Sequence, residues 1–228
     1  MITCPRRYPL VAALLLATVT LGACGSSGTP TTAADGATTA VTGEDTTAVT
    51  GGASYAGYRR EPIPSVAELS LPAVEADGSE TPFGFRAPAD SLLLVYFGYT
   101  SCPDVCPTTL SDIRLASGEL GDDADRVDLA MVTIDPEVDT PEVLVGYVRT
   151  FVPQATALRT TDDALLRPVA SQFGADYGKE VVDGRAEVFH TGSLYAVDDQ
   201  GRLLMTWPFG IPANDLARDL QLLLATET

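Results

Sequence analysis

The segment Cys102-Pro103-Asp104-Val105-Cys106-Pro107 sets two thiols four residues apart, directly after an apolar run. Proline suits the first turn of a helix and pushes the residue before it out of helical geometry, so a helix is expected to open at or just after Cys106. Both thiols then stand at a helix N-terminus, where the macrodipole and free N–H groups favour thiolate. Two neighbouring thiolates at neutral pH can oxidise to a disulfide or hold a soft metal such as Cu(I). A disulfide kept only for stability is the plainer alternative, but closing so short a loop stabilises least. His190 is the one histidine of the chain. It is either an incidental packed residue or the sole imidazole available for a metal or for acid–base work. A sulfur sealed beneath apolar side chains would argue against both a redox and a metal role.

These side chains need elements to position them. Residues 92–99 (LLLVYFGY) are a short continuous apolar run, the pattern of a strand buried on both faces. Leu110, Ile113 and Leu115 then recur at roughly helical spacing. Residues 127–134 (VDLAMVTI) predict a second buried strand, and Thr140-Pro141-Glu142 supplies a capping residue, a proline and an acid for a second helix start. A parallel β-α-β unit follows. Leu165, Leu166, Val169, Ala170 and Phe173 form the apolar stripe of a helix over 162–173. Residues 193–197 and 202–207 read as strands joined through Asp198-Asp199-Gln200-Gly201, and Leu216, Leu220, Leu223 and Leu224 mark a closing helix. Residues 66–90 are expected to add an N-terminal hairpin about Ala76-Asp77-Gly78. This order predicts an α/β domain of thioredoxin-like fold, a central mixed sheet with flanking helices. In that topology the loop entering the 193–197 strand comes close to the start of the first helix, and thioredoxins carry a cis-proline there. No proline stands between Pro168 and Pro208, while His190 falls in this loop. It could complete a site of two thiolates and one imidazole.

Arg6, Arg7, the apolar residues 11–21 and the tetrapeptide Leu21-Gly22-Ala23-Cys24 predict a secretory signal over residues 1–23 ending in a lipobox, with Cys24 as the lipid attachment. The apolar stretch is short for a bilayer span, which takes about 20 residues. Residues 24–57 are built almost wholly of Gly, Ser, Thr, Ala and Val without any period, and predict a flexible tether. Residues 58–228 are then one domain. The expected location is the cell membrane, lipid-anchored on the extracytoplasmic face. Cys4 leaves with the signal, so of four cysteines only Cys102 and Cys106 belong to the folded part and have each other or a metal as partners. A formal net charge of −17 argues against nucleic acid as a partner. Most of the carboxylates make a solvated surface, one that attracts cations and basic proteins.

The strings VYFGYTSCPDVCPTTLSDI, VTIDPEVDTPEVL, FGADY and VFHTGSLYAVDDQG, in this order and spacing, resemble the Sco/SenC family over roughly residues 60–226. The resemblance implies that Cys102, Cys106 and His190 are the ligands of one copper ion and that the two cysteines are a redox-active pair. It further implies a part in maturing the dinuclear copper centre of cytochrome c oxidase, as copper donor to its copper-accepting subunit, as thiol reductant, or both. The chain departs from the family pattern at Ala87-Pro88-Ala89-Asp90, where a glycine-lysine turn is common, and at Thr191-Gly192 after the histidine.

The chief rival is a metal-independent, extracytoplasmic thiol-disulfide oxidoreductase. Against it stand three residues between the cysteines in place of two, and the missing loop proline. A peroxiredoxin would carry a threonine three residues before its reactive cysteine, where Tyr99 and Pro103 stand here. Structural zinc would want a fourth good ligand. Asp135, ending the second strand, and Asp104, inside the motif, are each either a supporting acceptor or weak ligand, or a plain turn residue.

Overall fold

The computed structural model describes residues 54–182 and 185–228; the expected signal segment, Cys24 and the tether as far as residue 53 lie outside them. The chain runs β1 (Ser70–Val74), β2 (Glu80–Gly84), β3 (Leu92–Gly98), α1 (Val105–Glu119), a 3₁₀ turn (Gly121–Arg126), β4 (Val127–Thr133), α2 (Pro141–Phe151) and β5 (Thr156–Leu158). It continues through α3 (Asp163–Phe173), β6 (Tyr177–Val182), β7 (Arg185–His190), β8 (Leu194–Val197), β9 (Leu203–Trp207) and α4 (Ala213–Thr226). Seven strands form a mixed sheet in the order β2-β1-β5-β4-β3-β8-β9, and β6 pairs with β7 as a separate hairpin.

β3 lies inside the sheet because its sequence has no polar face to offer water. It pairs in parallel with β4 and antiparallel with β8. Leu92, Leu94 and Tyr96 join a core cluster with Leu110 and Ile113 of α1, Leu144 of α2 and Leu220 of α4. The alternate residues Leu93, Val95 and Phe97 join the opposite cluster with Leu166, Val169 and Phe173 of α3. Each such large side chain contributes about 1.5–3 kcal/mol on burial. Two helical layers thus clamp the sheet, and the chain leaves the C-terminal end of β3 directly into the turn that carries the two cysteines.

Local signals set most boundaries. Thr140 accepts from the Val143 N–H with Pro141 following it, and Asp162 accepts from the Ala164 N–H at 2.9 Å before α3. The N-terminal hairpin is β1–β2, turning through Gly78 at φ 83°. Asp90, in the stretch that lacks a glycine turn, takes φ 58° itself, a conformation Asp tolerates better than most residues, and Arg126 Nε donates to its carbonyl at 2.8 Å.

Two features differ from the sequence expectation. Composition assigns residues up to 57 to the tether, yet the N–H groups of Ala56 and Gly57 donate to Asp219 Oδ2 at 2.8 and 2.9 Å. That oxygen also accepts from Trp207 Nε1 at 2.9 Å, and a Cβ on Gly57 would come 2.5 Å from the same nitrogen. A buried carboxylate requires donors, and the backbone of this plain segment supplies them. The second difference is His190: it ends strand β7, in register with Tyr177 of β6, and is not in a free loop.

Candidate metal centre

Cys106 is the second residue of α1, which begins at Val105, slightly earlier than the proline position alone indicates. Asp104 occupies the cap position but its side chain makes no capping bond; it is exposed, its carboxylate accepts from Thr108 Oγ1 at 3.4 Å and its carbonyl from the Thr108 N–H at 3.1 Å. The N–H of Cys106, one of the free donors of the first turn, donates to Cys102 Sγ at 3.3 Å. The Cys102 sulfur therefore stands where a capping oxygen usually would.

His190 brings the third donor. Its Nε2 lies 3.5 Å from Cys106 Sγ, and the donor atoms of Cys102, Cys106 and His190 all fall within 4.8 Å of one another. Both cysteines are free thiols. His190 Nδ1 donates to the Thr191 carbonyl at 3.2 Å, which leaves the Nε2 lone pair facing the sulfurs. Thr191 is fixed in turn: its N–H donates to the Asp176 carbonyl at 2.8 Å and its hydroxyl accepts from the Asp176 N–H at 3.0 Å. At Gly192 a Cβ would sit 3.0 Å from Val105 and 3.2 Å from Phe209. Thr191 and Gly192 thus orient the imidazole and let the chain pass close to α1.

Burial decides the protonation states. Cys106 has no exposed surface, and loss of hydration pushes its thiol up to about 12, against opposing help from the Tyr96 hydroxyl and the Tyr99 backbone. The expected pair of thiolates at neutral pH is corrected here: for Cys106, desolvation outweighs the helix terminus. Burial also lowers His190 below its ordinary value, opposed by the Thr191 and Phe97 carbonyls, so the imidazole is neutral at pH 7. Cys106 taken alone is a sealed sulfur. Cys102, 8% exposed, lines with His190 an open cleft of about 260 Å³ walled by Tyr99, Pro103, Val188 and Phe189. The rings of Tyr96 and Tyr99 meet the imidazole edge-on, at centroid distances of 6.2 and 5.7 Å.

Asp135 stands outside this cluster. Its Oδ1 lies 2.8 Å from Lys179 Nζ, and its carbonyl accepts from the N–H groups of Val138 and Asp139, as a turn residue does. Asp139, which sequence reasoning passed over, is fully buried. It accepts from the hydroxyls of Thr100 and Thr133, both at 2.5 Å, and from the Thr100 N–H at 3.1 Å. It ties the turn that carries Cys102 to the end of β4. Gly98 was also missed: a Cβ there would lie 2.7 Å from the Tyr96 ring and 2.9 Å from Cys106 Sγ. A glycine closing an apolar strand is a signal of close approach. The β6–β7 hairpin had its own signal in Asp183-Gly184 set between two strand-like runs.

A family model described as SCO1/SenC matches residues 76–225. The chain belongs to the SCO1/SenC family. A SCO2-like protein of Rickettsia prowazekii is 32% identical to this SCO1/SenC chain over 128 residues, 55% of this chain and 62% of the relative. The match therefore spans less than two thirds of that relative's length. ScoI of Bradyrhizobium japonicum, solved with copper bound, is 29% identical with a TM-score of 0.56, covering 67% of this chain and 96% of that one. The apo Sco1 protein of Thermus thermophilus is also 29% identical, with a TM-score of 0.62 over 75% of this chain and 97% of that one. The SCO1/SenC domain has the thioredoxin-like α/β fold, with the mixed sheet and N-terminal hairpin expected of it.

Proposed function

We propose that this SCO1/SenC chain binds one copper ion through Cys102, Cys106 and His190 and serves in maturing the dinuclear copper centre of cytochrome c oxidase, handing copper to its copper-accepting subunit. The observation that carries this reading is the meeting of two sulfurs and one imidazole nitrogen within 4.8 Å, supplied by the opening of α1 and the end of β7. The donor set suits copper, since thiolate selects soft Cu(I) and imidazole is accepted by both copper oxidation states. The Thr191 carbonyl fixes the tautomer that a ligating Nε2 requires. Copper bound in the Bradyrhizobium japonicum ScoI structure supports the choice of metal. Cys106 gives up its proton when the metal arrives, while His190 is already neutral. A metal-independent oxidoreductase would attack through Cys102, the sulfur at the cleft; it is the weaker reading because it gives no role to the His190 Nε2 set 3.5 Å from Cys106 Sγ.

The test is the copper content of the anaerobically reduced protein with and without His190→Ala. The wild type should retain copper through gel filtration and the variant should bind it at least about tenfold more weakly, since one of three ligands is gone while disulfide formation survives. Equal retention would overturn the three-ligand site. On the same reading, residues 1–23 are a cleaved signal and Cys24 carries the lipid that holds the domain at the extracytoplasmic face of the membrane. Cys24→Ser should then move the protein from the membrane fraction into the soluble one, and firm retention after washing would refute the anchor.

A further inference from the structure

Tyr96 is fully buried on β3, yet among the described residues its hydroxyl has no hydrogen-bond partner. Buried polar groups are nearly always partnered, and a phenylalanine would fill the same space without an orphaned hydroxyl. The group stands beside the Cys106 sulfur and Thr109. The empty Cβ position of Gly98 locates it independently: Tyr96 Cε1 lies 2.7 Å from that point and Cys106 Sγ 2.9 Å from it. The ring also meets His190 edge-on. Tyr96 thus borders two of the three proposed ligands. A protonated thiol is a weak acceptor, whereas a sulfur that carries negative charge accepts strongly, and a phenol is the donor it would take.

We infer that Tyr96 is a positioning residue of the metal site: its buried hydroxyl donates a hydrogen bond to the Cys106 sulfur once that sulfur is a ligand. This rests on the copper reading above. A buried phenol that gains a charged sulfur as acceptor favours loading, and the bond draws electron density from the sulfur that would otherwise go to the metal. Tyr147 supplies a control, because it too buries an unpartnered hydroxyl, and the two sulfurs reach it only through their charge.

The experiment compares wild type, Tyr96→Phe and Tyr147→Phe as reduced full chains, by Cu(I) competition against a chelator, by the sulfur-to-Cu(II) absorption band, and by thermal unfolding without metal. Tyr96→Phe should bind Cu(I) about tenfold or more weakly and shift the band, while its metal-free form unfolds at the wild-type temperature or above it. Tyr147→Phe should leave affinity and band at their wild-type values. Wild-type affinity and band in Tyr96→Phe, equal losses in both variants, or a drop in metal-free stability confined to Tyr96→Phe would each overturn the inference. A wild-type chain that binds no copper would instead overturn the copper reading itself.

Discussion

Cys106 keeps its proton in the fold up to about 12, where a free thiol has lost it near 9. Because the folded value is raised, the contribution to stability is present below about 9 and is lost as pH climbs towards 12. The metal-free domain should therefore lose urea resistance as pH rises above about 9, and Cys106→Ala should make that decline shallower. An unchanged slope in the variant would mean that other groups carry it; the buried phenols of Tyr96 and Tyr147, also raised by burial, act in the same direction. Copper loading follows the opposite sense. Each proton released on binding raises apparent affinity by about tenfold per pH unit while the thiol is protonated. A neutral His190 adds nothing to that dependence near pH 7.

At the scale of elements, the site is assembled from two pieces that no local pattern joins. One is the turn between β3 and α1, which holds Cys102 and Cys106; the other is the β6–β7 hairpin, which ends in His190 and is fastened by Thr191 to Asp176. Asp139 secures the first piece by accepting from Thr100 and Thr133. Asp139→Ala removes the shared acceptor and leaves the buried Thr133 hydroxyl and the half-buried Thr100 hydroxyl and N–H without it. It should cost about 2–4 kcal/mol in urea unfolding. A loss under about 0.5 kcal/mol, the range of ordinary surface substitutions, would show that water or a neighbour replaces the carboxylate.

Across the whole molecule, both ends of the domain are bound together. Asp219 of α4 collects the backbone of Ala56 and Gly57 and the indole of Trp207, and Arg59 pairs with Glu227 at 2.7 Å. A chain begun at residue 58 keeps the sheet and the site but strips two donors from a fully buried carboxylate. Its melting temperature should fall by roughly 2–8 °C relative to a chain begun at residue 54, taking about 1–2 kcal/mol for the lost hydrogen bonds. Equal melting temperatures would return residues 54–57 to the tether. Among the described residues no helix is long and apolar enough to cross a membrane.

The amino-acid sequence by itself determined what neighbouring residues decide among themselves. The continuous apolar runs of β3 and β4 require burial on both faces, Thr140 and Asp162 cap the helices that follow them, and the four-residue spacing of Cys102 and Cys106 brings the thiols together across one turn. The tertiary structure decided the rest, because those properties depend on which distant groups exclude water or supply a donor. Cys106 is a thiol and not a thiolate because the packed core around it strips its hydration, which outweighs the help the Tyr96 hydroxyl gives the charged form. His190 reaches it across 84 residues of chain only because the β6–β7 hairpin folds back over the start of α1. The domain begins before residue 58 because Asp219, far along the chain, is buried and must be satisfied. Hydration and long-range partnership are properties of the packed molecule, and no window of sequence contains them.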